Sequence, residues 1–200
     1  MTASHPKFER REEDAAEGGC GVVGLASEIP VAGRHLFASL EQMRNRGNGK
    51  GGGVAMVGLD PEQFGVDAST LADTYLYAVA FLDSRVRDAV EETCIHPNFH
   101  IDYAHEMPAL ETWEEDLPAL DTRPPDVVCY FVRPREDILD EFISDKLQDV
   151  IDPNDREAAS EEFVFHVTHS LNVEFYAKDG RTDAFVLSHG RDLLILKIVG

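Results

Sequence analysis

Lysine and cysteine are scarce in this 200-residue chain, and each scarcity closes off a class of function. Lysine supplies only 5 of the 18 basic residues (Lys7, Lys50, Lys146, Lys178 and Lys197), against 38 acids and a formal net charge of -20. A surface of that sign repels phosphate, which excludes nucleic acid and anionic membrane surfaces as partners. Acidic, lysine-poor surfaces are common in halophilic hosts, and the composition points to one. The 3 cysteines, Cys20, Cys94 and Cys129, are odd in number and widely spaced, so they build neither a disulfide framework nor a zinc knuckle. A reducing, cytoplasmic location is the expectation. Apolar runs are short: none approaches the roughly 18 residues of a membrane span, and the polar start around Lys7 to Asp14 has no apolar core of a secretion signal. Internal repeats are also lacking.

The 8 histidines do not amount to a metal site, since His96, His100 and His105 are irregularly spaced and His166 and His169 form only a pair. No metal or organic cofactor is expected. The run Asn48-Gly49-Lys50-Gly51-Gly52-Gly53 lacks the spacing of a P-loop and the Ser or Thr that follows its lysine, which excludes a phosphate cradle. Ser188-His189-Gly190 lacks the Gly-x-Ser-x-Gly frame of a nucleophile elbow.

What is present is enough apolar content, 43%, for one domain or one domain with an embedded insertion. Residues 1–19 are polar and aperiodic, as in a removable arm. Val22, Val23 and Leu25, set between glycines, fit a short buried strand, although periodicity alone does not separate strand from helix in so short a run. Leu36, Phe37, Leu40 and Met43 fall at helical spacing over 35–44, and Val54 to Leu59 predicts a second buried strand. Further on, 76–82 predicts a strand and Ser84 is placed to cap a helix through Val86, Val90 and Cys94. Val127 to Val132 predicts a strand, Ile138 to Leu147 an amphipathic helix, and Glu161 to Tyr176 another. At the end, 184–187 and 193–199 flank Ser188 to Asp192 in a hairpin pattern. The middle, about 60–180, has the character of an α+β insertion between parts of a core sheet.

Cys20 is the residue with most chemical promise. It follows Gly18-Gly19, precedes Gly21, and is trailed by Asn45-Arg46-Gly47 and the glycine loop. Glycine on both sides leaves little steric bulk at a cleavage point and lets backbone approach a substrate closely. A thiol at a new chain terminus would have an α-amine with a reference pKa near 8 beside it, a base partly neutral at pH 7. Arg46-Gly47 also suits an ordinary helix C-terminus, with a basic residue near the last carbonyls and glycine beyond them.

Over Gly18 to Leu59 the sequence resembles class II glutamine amidotransferases, and most specifically the stand-alone amidotransferase subunits of glutamate synthase type. The resemblance implies an N-terminal-nucleophile hydrolase, an α/β fold in which two sheets pack between helix layers, with this chain supplying part of that αββα sandwich. It implies a leader, Met1 to Gly19, removed so that Cys20 becomes the catalytic N-terminus, with Gly21, Arg46 and Gly47 binding substrate or holding that terminus. The implied reaction is L-glutamine to glutamate and ammonia through a cysteinyl thioester. Ammonia then passes to a synthase partner, whose subunits would carry flavin and iron-sulfur clusters. The later arginine and Asn-Gly segments of that family, resembling His-Arg-Tyr-Pro-Thr and His-Asn-Gly, have no counterpart here, so the expectation is an N-terminal part of a longer enzyme, inactive alone. Two alternatives stand beside it: a non-catalytic docking or regulatory subunit, and an N-terminal-cysteine hydrolase of another amide.

Overall fold

The computed structural model describes residues 21–36, 39, 40, 43, 52–108, 111–116, 123–147, 152 and 155–198. The chain divides into two compact units, Met1–Gly51 and Gly52–Gly200. In the first, residues 21–27 have no regular secondary structure, contrary to the strand expected there. Val22 is 84% and Leu25 56% exposed. An apolar run becomes a strand only when a neighbouring strand takes its amides and a core takes its side chains, and here glycines interrupt the run. Gly33–Leu36 makes a single 3-10 turn, entered by the His35 N–H donating to the Ala32 carbonyl at 3.0 Å. Residues 39, 40 and 43 are helical, and Leu36, Leu40 and Met43 are partly buried, in keeping with the expected helical stripe.

The second unit is mixed α+β, with two antiparallel sheets. Strand β1 is Gly52–Val57. A Pro61–Gln63 turn and helix α1, Ala68–Asp73, follow, and the Asp67 carboxylate caps α1 by accepting from the Thr70 N–H at 2.7 Å. Strand β2, Tyr75–Phe81, leads to α2, Arg87–Val90, which widens into a π-type turn over Glu91–Ile95. The cap of this helical segment is Asp83, accepting from the Arg85 N–H at 3.0 Å, and not the expected Ser84. A carboxylate has both the acceptor and the charge that a helix start favours. Strand β3 is Phe99–Glu106, α3 Trp113–Asp116 and β4 Asp126–Pro134. Helix α4, Glu136–Phe142, continues as a π-type turn to Leu147, and α5, Arg156–Asn172, continues likewise to Ala177. Strands β5, Ala184–Ser188, and β6, Leu193–Ile198, complete the unit.

The larger sheet has the order β3-β4-β2-β5, every neighbouring pair antiparallel. With helices between β2 and β3 and between β4 and β5, this is the split βαβ arrangement. Central β2 is buried at all seven positions. Tyr77, Val79 and Phe81 join one core with Val90, Leu139, Phe163 and Val167, while Leu76 and Ala78 join a second with Phe64, Leu71 and Leu194. Both faces are covered, so β2 reads as a continuous apolar run instead of an alternation. Its sheet closes at Ser188, eight residues past the expected end of the insertion near 180.

The expected hairpin between 184–187 and 193–199 does not form. β5 pairs with β2, and β6 pairs with β1 in a separate two-stranded sheet. Asp192 has φ 49, and that left-handed residue helps the chain leave one sheet for the other between the two strands. β1 and β6 therefore form a neck through which the chain enters and leaves the lobe.

Candidate active site

Three of the four residues singled out by sequence, Cys20, Arg46 and Gly47, lie outside the described residues. The fourth, Gly21, is described, and its surroundings explain the glycine: a Cβ there would sit 2.8 Å from Met43 Cβ and 3.1 Å from its Sδ. Contacts below about 3 Å are not sustained by real side chains, so an alanine would push Met43 or the backbone aside. The backbone after Cys20 is thus packed closely against the helical stripe of its own unit.

The two remaining cysteines are chemically disarmed. Cys94 sits on the buried side of the π-type turn after α2, where burial pushes its thiol up to about 11. Cys129 is fully buried in β4, where burial pushes it to about 12. A nucleophilic cysteine must be a thiolate and must be reached by substrate. Neither of these is.

The glycine loop is explained in part by packing. Gly53 pairs with Lys197 in the β1–β6 ladder, and a Cβ at that position would lie 2.7 Å from the Leu196 carbonyl oxygen. Its bare backbone serves the approach of β6. At the lobe end of the neck, the Asp192 carboxylate accepts from the Leu59 N–H at 2.6 Å and the Gly58 N–H at 3.1 Å, tying the last turn before β6 to the first turn after β1. Beside it, the Leu76 N–H donates to the Gly190 carbonyl at 2.8 Å and the Arg191 guanidinium lies 5.0 Å from the Tyr75 ring centre. His189, half-buried between the Tyr77 and Phe165 rings, has its basicity lowered by that burial.

A second polar cluster, not anticipated from sequence, is centred on Glu91. Its Oε1 accepts from Arg87 Nε at 2.8 Å and from the Tyr130 hydroxyl at 2.7 Å, and Arg87 Nη1 donates to Glu106 at 2.6 Å. Burial would raise the Glu91 carboxyl, but the hydrogen bonds from Arg87 and Tyr130 prevail and hold it below the usual glutamate range. The i,i+4 spacing of Arg87 and Glu91 is a signal the sequence contains. The third partner, 39 positions away in β4, leaves no such signal.

Of the histidines, His166 packs on the Phe142 ring at 5.2 Å and His105 on Phe64 at 5.4 Å. Among the described residues no group of three or more His, Cys, Asp or Glu is placed to hold a metal ion, and no helix is long and apolar enough to cross a membrane. No protein-family model matches the chain, and comparison with curated proteins and with solved structures finds no similar one.

Proposed function

We propose that this chain carries the nucleophile of a class II glutamine amidotransferase, with Cys20 as the attacking residue once Met1 to Gly19 has been removed. The observation that carries the reading is the run Gly18-Gly19-Cys20-Gly21 followed by Asn45-Arg46-Gly47. The close packing of Gly21 on Met43 and the burial of the other two thiols are in keeping with it. The freed α-amine takes the Cys20 proton, the thiolate attacks the side-chain amide carbon of glutamine, and the amine returns that proton to the amide nitrogen, which leaves as ammonia as the thioester forms. Water then cleaves the thioester, releasing glutamate and returning the thiol. Arg46 and Gly47 hold the new terminus or the substrate, and the Arg46 charge favours the thiolate. The ammonia is passed to a glutamate synthase-type partner.

In this reading the chain supplies part of an N-terminal-nucleophile α/β sandwich, and the lobe entered through the neck is an insertion into it. A cytoplasmic location keeps Cys20 reduced. The test is intact-mass measurement of protein from its native host, followed by labelling with a diazo-ketone analogue of glutamine. Mature protein beginning at Cys20 and a label on Cys20 alone are expected. A mature protein that keeps its leader favours the non-catalytic docking subunit, and label on Cys94 or Cys129 overturns the assignment of the nucleophile.

A further inference from the structure

The end of the four-stranded sheet away from the His189 turn opens into a cleft of 410 Å³, where β2 ends and β4 begins. That is within the range of about 300–1,000 Å³ usual for small-molecule sites. Its apolar side includes Met107 and Pro108, and its polar side presents two guanidinium–carboxylate pairs to the same concavity. Arg87 Nη1 meets Glu106 at 2.6 Å, and Arg123 Nη2 meets Asp126 at 2.6 Å. Arg87 is held from behind by Glu91. A guanidinium has five N–H donors and a carboxylate about four lone-pair sites, so each pair can bind a further group without dissolving.

The balance of charge selects the ligand. Two guanidiniums stand among three carboxylates, Glu91, Glu106 and Asp126, on a chain of net charge -20, which disfavours a bare anion such as phosphate. A bare cation meets two fixed guanidiniums. A small molecule with one charge of each sign, close together, and an organic side chain satisfies both pairs and the apolar wall at once.

We propose that this cleft binds a free α-amino acid as its zwitterion, the carboxylate on Arg87 and Arg123, the ammonium on Glu106 and Asp126, and the side chain against Met107 and Pro108. The inference rests on the residues of the lobe alone and does not depend on the reading of Cys20 as a nucleophile.

The test is isothermal titration of the full chain, as Cys20→Ala to prevent turnover, with each of the twenty L-amino acids, inorganic phosphate and propylammonium. Stoichiometric binding of at least one amino acid is expected, weakened about tenfold or more when its amine is acetylated or its carboxylate converted to the amide. Arg123→Gln and Glu106→Gln, each checked for an unchanged urea midpoint, are expected to weaken it by a similar factor. Arg123→Lys, which retains the charge but not the fork, serves as the milder variant and is expected to weaken it several-fold. Absence of amino-acid binding at about 10 mM, phosphate or propylammonium binding as well as the amino acid, or retention of full affinity by the variants overturns the proposal.

Discussion

Tyr130→Phe removes a single oxygen from a side chain that is 1% exposed, and phenylalanine fills the remaining space without a new cavity. What is lost is the hydroxyl donating to Glu91 Oε1 at 2.7 Å. Hydrogen bonds to a charged partner contribute about 1.5–3 kcal/mol. The Glu91 side chain is 20% exposed, so water can reach part of the vacated acceptor, and the loss should lie near the lower end, about 1.5 kcal/mol. Glu91→Gln should cost about 1 kcal/mol, because its amide oxygen can still accept while the charge is gone. Both substitutions act on this bond, Glu91→Gln also on the one from Arg87, so the double variant should lose less than their sum, by about 1 kcal/mol. The pH dependence follows from the lowered Glu91 carboxyl. Its stabilisation is fully present above the unfolded value near 4.5 and disappears as pH falls through the lower folded value. The penalty of Tyr130→Phe should therefore be complete at pH 7 and shrink in acid. Urea unfolding of the four proteins at neutral and acid pH reads every term. A loss below about 0.5 kcal/mol at pH 7, coupling below about 0.3 kcal/mol, or a penalty constant into acid would refute the assignment of the bond as charge-assisted.

Gly21→Ala, with its Cβ placed 2.8 Å from Met43, should destabilise by about 1–3 kcal/mol and slow diazo-ketone labelling of Cys20, and Met43→Gly in the same chain should restore part of both. Asp192→Ala should cost about 2 kcal/mol in urea unfolding and speed amide exchange at Gly58 and Leu59. Asp192→Asn should cost less, since asparagine tolerates the positive φ and keeps an acceptor. His189 is held neutral by burial, so as pH falls below the unfolded value near 6.5 the unfolded chain takes up its proton first and stability declines until the lower folded value is passed. His189→Gln should flatten that part of the stability-against-pH curve, and an unchanged slope would assign it to other groups.

The elements that sequence revealed are those with an apolar run or a helical apolar stripe: β1, β2, β4 and helices α4 and α5 sit close to where that pattern placed them. Strand β3 was missed because it is the sheet edge. It alternates buried Phe99 with charged and polar His100, Asp102 and Glu106, and carries an irregularity between Ile101 and Tyr103, so no apolar run announces it. The strand expected after Cys20 failed for the opposite reason: Val22 and Leu25 are apolar but exposed, and composition does not show whether a partner strand exists. The 184–199 segment has hairpin chemistry at its bend, yet β5 takes the open edge of β2 and β6 takes β1, its partner across the neck. At the candidate site, the meaning of Gly21 was legible as a need for small size, whereas its contact, Met43, was visible only as a member of a helical stripe. The Glu91–Tyr130 and Asp192–Leu59 bonds join residues 39 and 133 positions apart, and no local pattern encodes them.

The neck also fixes an order of events in folding. Leu59 and Asp192 meet across 133 positions, so zippering β1 onto β6 in a disordered chain would close a very long loop. Closure entropy grows with the logarithm of loop length, and against a hairpin of four residues this one is dearer by about 3 kcal/mol. The lobe between them contains its own helix-facing core, which once formed brings the two strand ends together and removes that cost. The six-residue ladder from Gly52–Ile198 to Val57–Leu193 is then the last sheet to zip and the first to open. Amide exchange in β1 and β6 should outpace that in β2 and β4, and the seam between lobe and neck should be where a pulling force first yields.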